Sequence, residues 1–176
     1  MYRVTIFRWL YLYSVGVRML LTYSTVPGVW YVVVQAILIG LILFGPQGSP
    51  LINSKSFTTI LQSCGIVIGL LACLIMVIAA INLGRNLTPL PHPKDDSVLI
   101  QTGLYQYVRH PIYFGVLLAA LAWLLIFPGR YVLAYSICLF LLFDIKASRE
   151  EVWLVERFSS YKDYQARVKK LIPGIY

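Results

Sequence analysis

The chain has 176 residues, a length that fits one domain, yet 59% of them are apolar or aromatic and only 12% are charged. Soluble domains run at roughly 45–50% apolar and about 25% charged, so a water-exposed globular enzyme and a disordered chain are both excluded, leaving an integral membrane protein. The net charge of +8 is gathered in a few polar stretches, so membrane lipids with anionic headgroups, and no nucleic acid, are the expected partner.

In chain order, residues 1–26 are rich in aromatics but are interrupted by Arg3, Arg8 and Arg18. Charges at that spacing oppose a centred span, and the segment reads as an interfacial amphipathic helix, with a fifth span as the alternative. Residues 27–83 hold two apolar stretches, Gly28–Phe44 and Phe57–Leu83, each able to cross a bilayer of about 30 Å with thinning or tilt. Residues 84–176 begin with an irregular connection, because Pro89, Pro91 and Pro93 forbid a regular helix there. Two further apolar stretches follow, Ile112–Phe127 and Tyr131–Phe143, separated by the breaker Pro128-Gly129. Helical propensity continues past the second into Lys146–Phe158, which predicts a helical hairpin whose second helix runs on into water. The fold class is therefore all-α: a polytopic integral membrane protein with about four transmembrane helices and a cytoplasmic C-terminal extension.

Basic residues set the orientation. In a four-span topology only Lys55 and Arg130 of the 15 Lys and Arg fall on one side. The positive-inside rule then places both termini and the central loop in the cytoplasm. Cys64, Cys73 and Cys138 lie within apolar runs, with no metal-ligand spacing and no disulfide framework, and read as small buried thiols.

Polar chemistry collects in two places that this topology puts on the same face. The first is the entrance to the third span, where Gly103, Tyr105, Arg109, His110, Pro111, Tyr113 and Gly115 crowd together. Pro111 suits the first turn of a helix, and that helix start offers free N–H donors to an anionic group. His110 and Tyr113 share a face there, as do Tyr105 and Arg109 if that segment is helical too. The second place is Asp144–Glu156, where Glu150 and Glu151 lie about two turns beyond the last core residue. They can receive an ammonium, a ribose diol or the guanidinium of Arg109. The competing reading is an interfacial Arg-His anchor and a charged helix end, with Tyr105, Tyr107 and Tyr113 as interface-belt aromatics.

The stretch GLYQYVRHPIYFG, Gly103–Gly115, resembles the GxYxxxRHPxYxG signature of the isoprenylcysteine carboxyl methyltransferase and phospholipid methyltransferase superfamily. Arg149-Glu150-Glu151, followed by Leu154, Phe158, Tyr161 and Tyr164, is similar to the family's EExxLxxxFxxxYxxY tail, and Arg167–Tyr176 resembles its closing RVxxxIPxI. Gly84-Arg85-Asn86-Leu87-Thr88-Pro89 looks like a GRNWSP segment with Leu87 for tryptophan and Thr88 for serine. The likeness covers about residues 82–176. Gly103-Leu104-Tyr105 stands where the phospholipid-methylating branch has Gly-x-Gly, which tilts the resemblance towards the isoprenylcysteine-like branch.

The resemblance implies a membrane-embedded methyltransferase that uses S-adenosyl-L-methionine and releases S-adenosyl-L-homocysteine. Its acceptor is expected to be the carboxylate of a prenylated or otherwise lipophilic molecule entering from the bilayer. Arg109 and Glu150 are the candidate catalytic residues, with Arg109 orienting or charge-balancing carboxylates of cofactor or acceptor. The cofactor is assigned to Gly103, Leu104, Tyr105, His110, Pro111, Tyr113 and Glu151, and no metal is implied. His92, in Pro91-His92-Pro93, reads as a solvated loop residue that becomes interesting as a base if the acceptor is an amine or phenol. Two rivals stand beside this expectation. Sterol reductases share a related C-terminal pattern and use NADPH, and a non-catalytic membrane scaffold would keep the fold without binding either nucleotide.

Overall fold

The computed structural model describes residues 28–87 and 98–176. The interfacial segment expected at 1–26, and the proline-rich turn with His92, lie outside them. Five α-helices make up the described chain: α1 Val29–Phe44, α2 Lys55–Leu83, α3 Pro111–Ile126, α4 Arg130–Arg157 and α5 Tyr161–Arg167. Short 3-10 turns stand at Gly84–Asn86 and Gly103–Gln106. No strand occurs among the described residues, whose regular structure is all helical.

The four apolar stretches become α1 to α4. α2 and α4 are long and apolar enough to cross a membrane, whereas α1 and α3, of 16 residues each, are shorter. At 1.5 Å per residue those two rise only about 24 Å, less than a hydrocarbon core of about 30 Å. α4 is one helix of 28 residues that carries an apolar half and a charged half without a break. Short α5 follows it as a separate element.

α2 and α3 run antiparallel, the start of one lying against the end of the other. α3 and α4 are joined by residues 127–129, as the hairpin expectation required, but each finds its main packing partner elsewhere. α3 lies chiefly on α2, and α4 on α1. Small residues explain the first pairing. On α2, Gly65, Gly69, Ala72, Met76 and Ala79 recur every three or four residues along one face, which is helical spacing. Ala72 and Ala79 are fully buried. A Cβ on Gly65 would lie 2.8 Å from the Ala122 carbonyl oxygen, and one on Gly115 would lie 2.5 Å from Met76 Cγ. The two helices therefore touch backbone to backbone, the means by which helices associate where lipid removes the hydrophobic drive. The opposite face of α2 carries Val67, Leu70 and Ile81 at 66–71% exposure. Such a surface suits acyl chains, not water.

The second pairing is a larger-residue core of Tyr31 and Ile42 from α1 with Val132, Leu139, Leu142 and Phe143 from α4, closed by Ala120 of α3. At the end of the bundle that holds Lys55 and Arg130, the two connections are laced together. Leu51 N–H donates to the Pro128 carbonyl (2.8 Å), Arg130 N–H to Ser49 (3.1 Å) and Tyr131 N–H to Gln47 (3.1 Å). The other end gathers the start of α3, the charged half of α4 and the C-terminal segment.

Candidate active site

The entrance to α3 is shaped before any charge is placed. Gly103 has φ +62°, and a Cβ there would meet Asn82 Oδ1 at 2.1 Å. That closeness lets Asn82 Oδ1 accept the Leu104 N–H at 3.0 Å, pinning the Gly103–Gln106 turn to the end of α2. The turn does not continue as a helix. Arg109 N–H donates to the Lys169 carbonyl (2.9 Å) and His110 N–H to Lys170 (3.1 Å), so residues 108–110 run extended beside the C-terminal segment. Tyr105 and Arg109 accordingly do not share a helical face. The extended stretch sends Arg109 towards α4 and α5, while Tyr105 is buried and offers its carbonyl to the Tyr164 hydroxyl. Pro111 then occupies the first turn of α3, where its missing N–H leaves no gap.

Arg109 is the hub. Its Nε donates to Glu151 Oε1 at 2.7 Å and its Nη2 to Oε2 at 3.1 Å, a two-pronged pair between α4 and the α3 entrance. Its Nη1 donates to the carbonyls of Gln165 (3.2 Å) and Val168. Gln165 Nε2 donates in turn to Glu151 Oε2 at 2.9 Å. The guanidinium therefore fastens α5 and the following strand-like stretch to α4. Of its five N–H donors, four are engaged within the chain.

His110 sits between the two carboxylates. Its Nε2 is 3.1 Å from Glu151 Oε1 and its Nδ1 is 3.4 Å from Glu150 Oε2. Burial works against the charged imidazolium, but hydrogen bonds and charges from Glu150 and Glu151 together outweigh it and hold the pKa above the usual 6.5. The two carboxylates thus favour the charged form of His110. Tyr113, one turn along, donates its hydroxyl to Glu150. Its ring is stacked between His110 (centroids 5.4 Å apart) and Phe143 (4.6 Å). Burial also lifts the phenol of Tyr164 to about 12, with Arg109 opposing and Glu151 reinforcing the shift, so that hydroxyl stays a donor to Tyr105.

The two glutamates are unlike despite being adjacent. Glu151 is closed in by Arg109, His110 and Gln165. Glu150 meets Tyr113 and His110, is somewhat more open, and keeps acceptor capacity. Of the residues singled out in the sequence, Arg109, His110, Tyr113, Glu150 and Glu151 converge in one network. Gly103, Leu104, Tyr105 and Pro111 form the backbone frame beside it.

Four participants escaped the sequence reading: Asn82, Gln165, Lys146 and Gln35. Lys146 of α4 is 2% exposed; its Nζ donates to Gln35 Oε1 of α1 at 3.0 Å and lies 5.0 Å from the Tyr113 ring centre. Gln35 did leave a signal, as a lone amide in an otherwise apolar and aromatic stretch.

The description of the isoprenylcysteine carboxyl methyltransferase family matches residues 64–156, more than half the chain and including Arg109, His110, Tyr113, Glu150 and Glu151. A protein-S-isoprenylcysteine O-methyltransferase of Dictyostelium discoideum is 35% identical over 97 residues, which are 53% of this chain and 41% of that protein. The enzyme of the same name from Schizosaccharomyces pombe is 37% identical over 83 residues, 46% of this chain and 35% of the other. This chain thus spans less than half the length of either relative. The structure of a eukaryotic intramembrane Ras methyltransferase, an isoprenylcysteine carboxyl methyltransferase without a monobody, superposes with a TM-score of 0.60 at 23% identity, over 84% of this chain and 52% of that one. The shared fold is that of an integral membrane enzyme, and the chain belongs to the isoprenylcysteine carboxyl methyltransferase family.

Proposed function

We propose that the protein is a membrane-embedded, S-adenosyl-L-methionine-dependent methyltransferase acting on the carboxylate of a prenylated or otherwise lipophilic acceptor. One observation carries the reading. The Arg-His-Pro-x-Tyr entrance of α3 and the Glu-Glu pair of α4 meet in a single buried charge network at the end of an apolar bundle. In this reading both termini and that end face the cytoplasm and the chain is multi-pass. The two basic residues counted apart, Lys55 and Arg130, begin α2 and α4 at the other end, as the positive-inside rule requires.

The donor set fits the cofactor. Glu150 retains acceptor positions for an ammonium or a ribose diol, with the backbone of Gly103–Tyr105 framing the same end of the bundle. When bound, the cofactor supplies an electrophilic methyl on a sulfonium. The chain's own residues then have three tasks. Glu150, with Tyr113 donating to it, orients the cofactor end. Arg109, through its remaining N–H, orients a carboxylate of cofactor or acceptor, while Glu151 and His110 hold the guanidinium in place. The apolar helices keep water scarce, which favours cancellation of opposite charges.

A carboxylate with an α-carboxyl pKa of about 3.3–3.7 is ionised already and needs no base. What it needs is alignment, which can lower a barrier by several kcal/mol. Membranes containing the protein, given methyl-labelled cofactor and a prenylcysteine, should incorporate label that base releases as methanol. Label that resists base, or none with any lipophilic carboxylate, would sink the proposal.

A further inference from the structure

α1 contributes to the network from a distance. Gln35 reaches across the bundle to Lys146, 111 residues later in the chain, and holds its Nζ at 3.0 Å. The ammonium lies over the face of Tyr113 at 5.0 Å, and Lys146 precedes Glu150 by four residues, one helical turn on the same side of α4. Lys146, Tyr113 and Glu150 therefore form a triangle, with the phenol as the link between cation and carboxylate. A cation over a phenol ring draws electron density from it and makes its O–H a stronger donor.

Stability alone gives poor reason for this arrangement. Taking an ammonium and an amide out of water is costly, and well-packed apolar residues of similar size usually serve a core as well or better. We propose that Lys146 is a positioning residue: aimed by Gln35, its ammonium fixes the Tyr113 hydrogen bond to Glu150, so that this carboxylate presents one geometry to the cofactor. The inference rests on the cofactor reading above. It assigns α1 a part in cofactor binding although α1 lies outside residues 64–156, where the family description matches.

The test sets stability against affinity. The double variant Gln35→Leu/Lys146→Met removes both members of this hydrogen bond together. Its melting temperature in detergent should stay close to that of the wild type, while its calorimetric affinity for S-adenosylhomocysteine should fall about ten-fold, the worth of roughly one well-placed hydrogen bond. Gln35→Glu is the second variant, because it strengthens the tie yet cancels the charge above Tyr113. It should weaken binding at a melting temperature close to that of the wild type. Leu139→Ala, in the apolar core, is the stability control.

Unchanged affinity in the double variant or in Gln35→Glu overturns the inference. So does an affinity loss that merely tracks the melting temperature as it does in Leu139→Ala. If the wild type itself binds no S-adenosylhomocysteine, the cofactor reading fails and the inference with it. Binding by the wild type with indifferent variants removes the inference alone.

Discussion

Between α2 and α3 the contact is made by residues with almost no side chain, and what matters is that nothing stands between two backbones. Between α3, α4 and the C-terminal segment the contact is made by side chains of Arg109, His110, Glu150, Glu151 and Gln165, and what matters is that each polar group has its partner. The seam fails when something is added. The network fails when something is taken away. One protein thus uses two solutions to the same problem, association without a strong hydrophobic drive, and gathers the costly one at one end of the bundle.

The largest effect should come from subtracting at the network. Arg109→Ala leaves Glu151 buried beside His110 without its bidentate partner, a loss of about 3–5 kcal/mol of the kind seen for broken buried pairs. Thermal unfolding should show it, with early proteolysis at residues 161–170 as α5 comes loose. Arg109→Lys should recover only part, since an ammonium lacks the planar fork. If Arg109→Ala melts like the wild type, the contrast between the two regions collapses.

Adding to the seam comes next. Gly65→Leu drives a side chain into the Ala122 carbonyl and Ile126, for which overpacking of about 1–3 kcal/mol is expected, again read by thermal unfolding. An Ala at the same place should cost less than Leu. The order of the two tests whether closeness, and not glycine as such, is what the seam needs. Smaller still, Tyr164→Phe removes one hydrogen bond to the Tyr105 carbonyl and should cost about 0.5–1.5 kcal/mol.

The gentlest probe is pH. His110 has its pKa raised above 6.5 on folding, so its stabilising contribution is fully present below that value and is lost as pH rises through the higher, folded value. Melting temperatures between pH 6 and pH 9 should therefore decline in the wild type, in the part owed to this residue, and His110→Asn should flatten that part. Gly65→Leu should keep the wild-type slope, because the seam holds no titrating group. A slope unaffected by His110→Asn would show that the imidazolium is not the charge on which the network depends.

Much of the fold was legible because apolar run length is a strong signal in a membrane chain. Glycine and proline pairs at Gly45-Pro46 and Pro128-Gly129 end helices where the structure ends them. The two polar clusters were legible as clusters. Their wiring was not, because which glutamate meets Arg109 depends on a rotation of about 100° per residue around α4 that only packing fixes. The extended run before His110 was hidden for a different reason, since it is set by the Lys169 and Lys170 carbonyls some 60 residues away. α5, of seven residues and polar, carries too short a pattern to be read. The pairing of α2 with α3 hid in residues that seem to do least, for a glycine in an apolar run announces nothing until another backbone lies against it.

The unbroken course of α4 has a consequence for how such a chain can vary. Phe143, which packs in the apolar core and stacks on Tyr113, is tied to Glu150 and Glu151 by two turns of one rigid rod. A single residue inserted between them would swing both carboxylates about 100° and advance them about 1.5 Å, and no insertion short of a full turn restores the face. The connections at residues 45–54 and 127–129, at the other end of the bundle, can lengthen or shorten without reaching the charged network. The count of residues from Phe143 to Glu151 is a fixed dimension of the structure, and a lineage that keeps the network must keep that length whatever it does to the letters.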